Sequence, residues 1–131
     1  GAWGGRTVRV ESLGGRAVVA YPVRPGALTR LEIGPREKVE KAAGIVVPDR
    51  VEFTDPADRA FSERFLVRAQ PQGAGVRAVD NTVRQRLAEA ADIHILAQGP
   101  SLQIFLPADC EARELRSALE IGGAMLDALE G

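Results

Sequence analysis

The chain has 131 residues, which suits one domain with its own core, and 45% of them are hydrophobic, which argues against disorder. The formal net charge of −1 argues against a general binder of nucleic acid or anionic membranes. A single cysteine excludes an intrachain disulfide, and a single histidine argues against a histidine-based metal site. No run approaches the roughly 18–20 apolar residues of a membrane helix.

The first half of the chain reads as three short strands, because apolar residues alternate with polar ones. The predicted strands are Thr7–Ser12, Arg16–Val23 and Leu28–Ile33. Glycine and proline pairs at Gly14-Gly15 and Pro25-Gly26 predict the turns between them. Gly34-Pro35 is expected to end the third strand and to open a helix that runs to Ala43, with Gly44 ending it.

The middle of the chain predicts a strand, a short helix, a second strand and a longer helix. The segments are a strand at Val51–Phe53, a helical turn over Pro56–Glu63, a strand at Phe65–Ala69, a loop over Pro71–Gly75 and a helix from about Asp80 to Asp92. Asp55 and Asp80 are placed to cap the two helices. Phe61 is expected to point into the core.

The end of the chain predicts a hairpin and a long helix. Alternating segments at Ile93–Ala97 and Leu102–Leu106 flank a Gly99-Pro100 turn. Asp109 is expected to cap the last helix, which runs to about Leu129. Its apolar stripe steps by three and four residues through Leu115, Leu119, Gly122, Leu126 and Leu129, and Arg116 and Glu120 are expected to pair outside. Gly122-Gly123 predicts close packing or a kink, with a contact to a partner helix as the alternative.

This order of elements predicts an α+β fold: a mostly antiparallel sheet, helices packed on one face, and a long C-terminal helix. We expect a single domain over residues 1–131, with a weak boundary that could separate sub-lobes 1–47 and 48–131.

One segment matches a dinucleotide fingerprint. Gly73-Ala74-Gly75-Val76-Arg77-Ala78 follows a predicted strand and precedes a helix, as that motif requires. The fingerprint also needs a following parallel strand, whereas here the next strand turns into a hairpin. A flexible loop is therefore the favoured interpretation, and no cofactor is predicted.

A cysteine nucleophile is the second chemical candidate. Cys110 stands at the predicted start of the last helix, where the helix dipole can activate a thiol, and His94 is the only imidazole that could serve as its base. Asp109 and Glu111 flank the thiol and oppose its ionisation. We therefore predict no catalytic residue.

Charged groups supply two further candidates. Glu52, Asp55 and Asp58 could bind a cation, but their spacing matches no cation loop, so no metal site is predicted. A possible anion site is formed by Arg64, Arg68, Arg77, Arg84 and Arg86. Arg84 and Arg86 do not share a helix face, and solvated charge is the favoured interpretation.

The chain from about residue 51 to 131 resembles a family of uncharacterised bacterial domains often found beside membrane-spanning segments. The matching pattern consists of Asp58, Phe61, Arg64, Phe65 and Val67. A helix, a hairpin and a long helix then follow at Ala78–Ala91, Asp92–Leu106 and Asp109–Leu129. The family carries proline where this chain has Arg59. The resemblance implies a non-enzymatic soluble domain of a larger, membrane-anchored bacterial protein.

We therefore expect a non-enzymatic interaction or sensing domain, acting through an exposed sheet face or edge strand by contact with a protein or by self-association. Tyr21, His94 and Arg68 are expected on that outer face. The alternatives are a small enzyme with Cys110 as nucleophile and a ligand pocket between the sheet and the C-terminal helix. No nucleic acid is expected as a partner. We expect a soluble domain that makes no membrane contact itself, in the cytoplasm or attached to an anchor outside this chain, because the chain begins at Gly1 rather than at a methionine.

Overall fold

The computed structural model describes residues 2–3, 5–13, 16–23, 30–35, 50–70, 72–90, 93–98, 101–107 and 109–130. Some predicted features lie outside these residues: the turns at Gly14-Gly15, Pro25-Gly26 and Gly99-Pro100, and the helix predicted to end at Ala43 with Gly44 after it.

The described strands agree with most of the predicted ones. They are β1 (Ala2–Trp3), β2 (Arg6–Thr7), β3 (Arg9–Leu13), β4 (Arg16–Pro22), β5 (Arg30–Pro35), β6 (Arg50–Val51), β7 (Phe65–Gln70), β8 (His94–Gln98) and β9 (Ser101–Pro107). Strands β1 and β2 pair with each other, and the other seven form one sheet in the order β3-β4-β9-β8-β5-β7-β6. Every described pair is antiparallel. Strands from the two halves of the chain alternate in the sheet, since β5 from the first half lies between β8 and β7 from the second half.

The prediction that Gly34-Pro35 ends the third strand was wrong. Both residues belong to β5 and pair with Leu66 and Phe65 of β7. The pairing with β8 ends at Ile33, so the missing N–H of Pro35 costs no hydrogen bond to that neighbour.

The described helices are α1 (Arg59–Arg64), α2 (Gln72–Ala78), α3 (Asn81–Glu89) and α4 (Ala112–Glu130), and a 3₁₀ turn at Pro56–Asp58 precedes α1. The two predicted caps are confirmed. A side-chain oxygen of Asp55 accepts a hydrogen bond from Ala57 N, and one of Asp80 accepts from Val83 N. Among the described helices, none combines the length and apolarity needed to cross a bilayer. The α+β prediction is confirmed, with the long helix at the C-terminal end.

The loop predicted over Pro71–Gly75 was wrong for residues 72–75, which belong to helix α2. Gly75 is buried, and a Cβ there would lie 2.6 Å from Ala69 Cβ and 3.0 Å from Val51 Cγ2. The glycine therefore lets a helix lie directly against strands β7 and β6. This packing outweighs the low helix propensity of glycine.

Helix α4 begins later than predicted, and its outer ion pair differs. Its first residue is Ala112, so Asp109 lies outside the N-cap position. The carboxylate of Glu120 pairs with Arg86 of α3 rather than within its own helix. The tertiary contact links α3 to α4, which local spacing could not indicate.

The core lies between the helices and one face of the sheet, and it includes Phe61 as predicted. The residues that the central strands contribute to it alternate along each strand, and they include Val19, Tyr21, Leu31, Ile33, Val67, Ile95, Ala97, Leu102 and Ile104. The helix side of the sheet is defined here by these residues, and the outer side is the opposite one.

An ion pair fastens the segment before α1 to helix α3. Arg84 Nε lies 2.8 Å from Asp58 Oδ1, and an Arg84 guanidinium nitrogen donates a 2.7 Å hydrogen bond to Val79 O. The guanidinium carbon also lies 4.4 Å from the centre of the Phe53 ring. Asp58 is buried, so its charge depends on this partner.

Candidate functional site

The outer side of the sheet carries a buried polar pair at its centre. Glu32 of β5 is 1% exposed, and its Oε2 lies 2.7 Å from Nε2 of His94 on β8. This hydrogen bond joins the neighbouring strands β5 and β8 through their side chains. The ring of His94 stands edge-on to Phe105, with 6.3 Å between the ring centres.

Arg68 lies next to this pair on β7, directly across from Glu32 in the register of the two strands. Its Nε is buried and has no hydrogen-bond partner among the described residues. The structure therefore brings His94 and Arg68 to the outer side, as predicted. It also adds Glu32, which the sequence analysis did not single out.

The outer side is not the open surface that the sequence suggested. Val18 and Leu66 are buried there, as is Glu32. Tyr21 was expected on this side, and that prediction was wrong. Its ring lies in the helix-side core, and its hydroxyl donates a 2.9 Å hydrogen bond to Leu119 O of α4.

Replacing His94 with alanine is expected to lower the free energy of unfolding by about 1.5–3 kcal/mol, because the buried carboxylate of Glu32 loses a hydrogen bond to a polar ring. Denaturant unfolding measures the change. Gln103→Ala is the matched control, since Gln103 is half-buried on the same side of the sheet, opposite Leu96. A loss for Gln103→Ala as large as that for His94→Ala would contradict the assignment.

Cys110 and His94 are not brought together. Cys110 is half-buried against the helix-side core, and its backbone N–H bonds Pro107 O at 3.1 Å. It precedes the first residue of α4 by two positions, so it does not sit in the first turn of the helix. His94 points to the opposite side of the sheet. The single imidazole of the chain therefore does not lie beside this thiol.

Several of the acidic and arginine side chains considered as cation or anion sites make contacts that stabilise the fold. Asp55 caps the 3₁₀ turn and Asp58 pairs with Arg84. Arg64 donates hydrogen bonds to Ala88 O and Ala90 O at the end of α3. Within the described part of the chain, no three His, Cys, Asp or Glu side chains are grouped to hold a metal ion.

A half-open cleft of about 450 Å³ lies between α4, the end of α3 and the adjoining ends of β8 and β9. Charged and polar side chains line it, including Glu89, Arg113, Glu114 and Ser117. Its apolar lining consists of Ile93 and Leu106, which are buried, and Ala90, which is half-buried. The cleft occupies the place of the predicted pocket, but most of its described lining residues are charged or polar.

Strand β3 forms one edge of the seven-stranded sheet. Among the described strands only β4 pairs with it. Val10 is 51% exposed. The flanking Arg9 and Glu11 side chains are 73% and 51% exposed, and Arg9 Nε lies 2.9 Å from Glu11 Oε1. The opposite edge is the two-residue strand β6, whose Val51 is buried. Strand β3 is therefore the longer and more accessible edge.

The cross-strand register assigns the β3 side chains to the two sides of the sheet. Val10 lies opposite Val19, on the helix side, whereas Arg9 and Glu11 lie opposite Ala20 and Val18, on the outer side. The edge thus presents an apolar side chain on one side and a pair of opposite charges on the other.

No family model and no curated protein matches this chain. Among solved structures, the crystal structure of the mycobacterial trehalose monomycolate transport factor A, TtfA, has a similar fold. The TM-score is 0.69 at 14% sequence identity, over 98% of this chain and 68% of the TtfA chain. At this identity the likeness establishes the fold alone.

Proposed function

We propose that this chain is a non-enzymatic interaction domain of a larger bacterial protein and that it binds protein through the edge strand β3. The observation that carries the proposal is the exposed edge, with Val10 51% accessible between two solvent-exposed charges. An unpaired strand edge offers a row of N–H and C=O groups to which an extended partner segment can add.

One element of the proposal goes beyond the fold likeness. The similar structure belongs to a protein named as a transport factor for trehalose monomycolate. We extend to this chain a part in transport and not the cargo. The resemblance to domains found beside membrane-spanning segments supports a location at a membrane, with the anchor outside this chain.

The two alternatives receive less support. The Cys110 thiol has no imidazole near it, and the cleft beside α4 is lined mostly by charged and polar residues among those described. Glu32, which pairs with His94, is only 1% exposed, so its carboxylate is not accessible to a substrate from solvent.

Blocking the edge is expected to abolish function in cells while leaving the fold intact. Val10→Lys places a charge at the middle of the edge, where it opposes the addition of a partner strand. We expect a strain lacking the gene to be restored by the wild-type chain in its full-length protein and by a Cys110→Ala variant, but not by Val10→Lys.

The control is thermal unfolding of each purified variant, which should keep the wild-type midpoint within a few degrees, since Val10 is largely exposed. Full restoration by Val10→Lys would overturn the proposal, and loss of function with Cys110→Ala alone would overturn it in favour of thiol chemistry.

A further inference from the structure

The charges along β3 are arranged so that the strand complements itself. In an antiparallel pair of β3 strands centred on Val10, each Arg9 stands opposite Glu11 of the other copy. Both side chains lie on the outer side of the sheet, so the two cross-strand pairs form on one surface. A parallel alignment in register would instead place Arg9 opposite Arg9 and Glu11 opposite Glu11.

The apolar group of the edge fits the same alignment. Val10 falls on the two-fold axis, so it faces its own copy on the helix side of the sheet. Val10 is 51% exposed in one copy, and the opposite Val10 would cover part of that surface. Directly opposite residues of an antiparallel pair have Cα atoms about 4.5–5.5 Å apart, which brings the two valines into contact.

Of the devices that keep sheet edges apart, the strand carries only charged side chains. Proteins protect exposed edges with charged residues, above all lysine, and with proline, bulges or very short strands. The two charges of β3, Arg9 and Glu11, are opposite in sign, so they do not repel a second copy in the antiparallel alignment. Strand β3 has five residues, Arg-Val-Glu-Ser-Leu, with neither lysine nor proline, and it pairs with β4 without a bulge. The other edge, β6, is protected by its length of two residues.

We propose that two copies of this chain associate through antiparallel pairing of their β3 strands, with the two-fold axis at Val10 and reciprocal Arg9–Glu11 ion pairs. This inference rests on the proposed role of β3 as a docking edge and names its partner as a second copy. An edge of five residues is small beside the roughly 20–30 residues that each partner contributes to a standard interface, so we expect a weak, concentration-dependent dimer.

Cysteine cross-linking tests the position of the axis. In a Cys110→Ala background, which removes the only native thiol, Val10→Cys is expected to form a covalent dimer under mild oxidation. The two Cα atoms then lie within the roughly 4.4–6.8 Å that a disulfide spans. The measurement is the dimer fraction on a non-reducing gel across a concentration series.

Ser12→Cys is the matched control, because Ser12 is exposed on the same strand and the same side of the sheet. In the proposed alignment the two Ser12 residues are offset by four positions, or about 14 Å, which is too far for a disulfide. Equal cross-linking at both positions, or more at Ser12→Cys, would overturn the proposed register.

Charge reversal tests the ion pairs without any thiol. Arg9→Glu and Glu11→Arg each place like charges opposite one another in the homodimer, so each variant alone should sediment as a monomer at concentrations where the wild type dimerises. Mixed together, the two variants restore both opposite-charge pairs and should form a heterodimer that weakens as salt is raised. Each change also breaks the exposed Arg9–Glu11 contact within one chain, which contributes little to folding.

A mixture that stays monomeric, together with no preference for cross-linking at Val10→Cys, would overturn self-pairing. If Val10→Lys still abolished function in cells, the edge would bind a different protein and the proposed function would stand. If instead the dimer formed but edge variants worked normally in cells, self-pairing would stand and the proposed function would fail.

Discussion

Replacing Arg84 with alanine is expected to lower the free energy of unfolding by about 3–5 kcal/mol, since breaking a buried pair leaves one charge uncompensated. Asp58 is 4% exposed and Arg84 is 15% exposed, so solvent cannot replace the lost guanidinium. The substitution also removes the hydrogen bond to Val79 O and the contact with the Phe53 ring. Urea unfolding measures the loss as a lower midpoint at an unchanged slope.

A matched pair of variants on the same helix isolates the role of burial. Arg86→Ala breaks an ion pair whose side chains are 42% and 37% exposed, and it should cost less than about 1 kcal/mol. Asp58→Ala should cost less than Arg84→Ala, because Arg84 keeps its contacts with Val79 and Phe53. Similar losses for Arg84→Ala and Arg86→Ala would mean that the buried pair contributes no more than a surface one.

Local patterns predicted the elements well because each signal depends on neighbouring residues. Alternation identified strands such as β7 and β9, and Asp55 and Asp80 cap helices because a short side-chain oxygen can reach a nearby free N–H. Helix α2 escaped prediction because its glycine is favourable only where strands β6 and β7 lie against it.

The order of the strands could not be predicted, since alternation does not specify a partner. Strand β5 lies between β8 and β7, which come from the other half of the chain. The side of the sheet on which Tyr21 lies could not be predicted either, because β4 is apolar on both faces. Val19 and Tyr21 lie on one face, and Val18 and Ala20 lie on the other. A strand that is apolar on both faces gives no basis for choosing which face the helices cover.

The residues that meet at the candidate sites are determined even more strongly by the order of the strands. The Glu32–His94 contact joins residues 62 positions apart, and the Asp58–Arg84 pair joins residues 26 apart. Each residue type was visible in the sequence, but its partner was not. The position of β3 at the sheet edge also depends on the strand order. In the sequence, Arg9–Leu13 resembles any other short alternating strand, and only the structure shows that β4 alone pairs with it among the described strands.

The glycine pair in α4 predicts two substitutions of opposite sign. A Cβ at Gly122 would lie 2.6 Å from Cε2 and 3.0 Å from Cδ2 of Tyr21, and 3.1 Å from Cδ1 of Ile104. Around Gly123 the same construction meets nothing within 4 Å. The two positions share one helix and one intrinsic propensity, so any difference between them comes from packing.

Gly122→Ala is expected to destabilise the fold by up to about 2 kcal/mol. Alanine gains about 1 kcal/mol of helix propensity over glycine, but overpacking a dense core costs roughly 1–3 kcal/mol. The Tyr21 ring cannot swing aside, because it is buried and its hydroxyl is held by Leu119 O, one turn before Gly122. Helix α4 must instead lift from β4 and β9, which loosens contacts along the apolar face that it buries.

Gly123→Ala is expected to stabilise the fold by about 0.5–1 kcal/mol, because it gains the same propensity without a clash. Thermal and urea unfolding of the two variants beside the wild type measure the contrast. Stabilisation by both substitutions would mean that α4 can withdraw from the Tyr21 ring at little cost. Destabilisation by both would indicate that Gly123 is itself in close contact in solution, as it would be if a second helix packed against that side of α4.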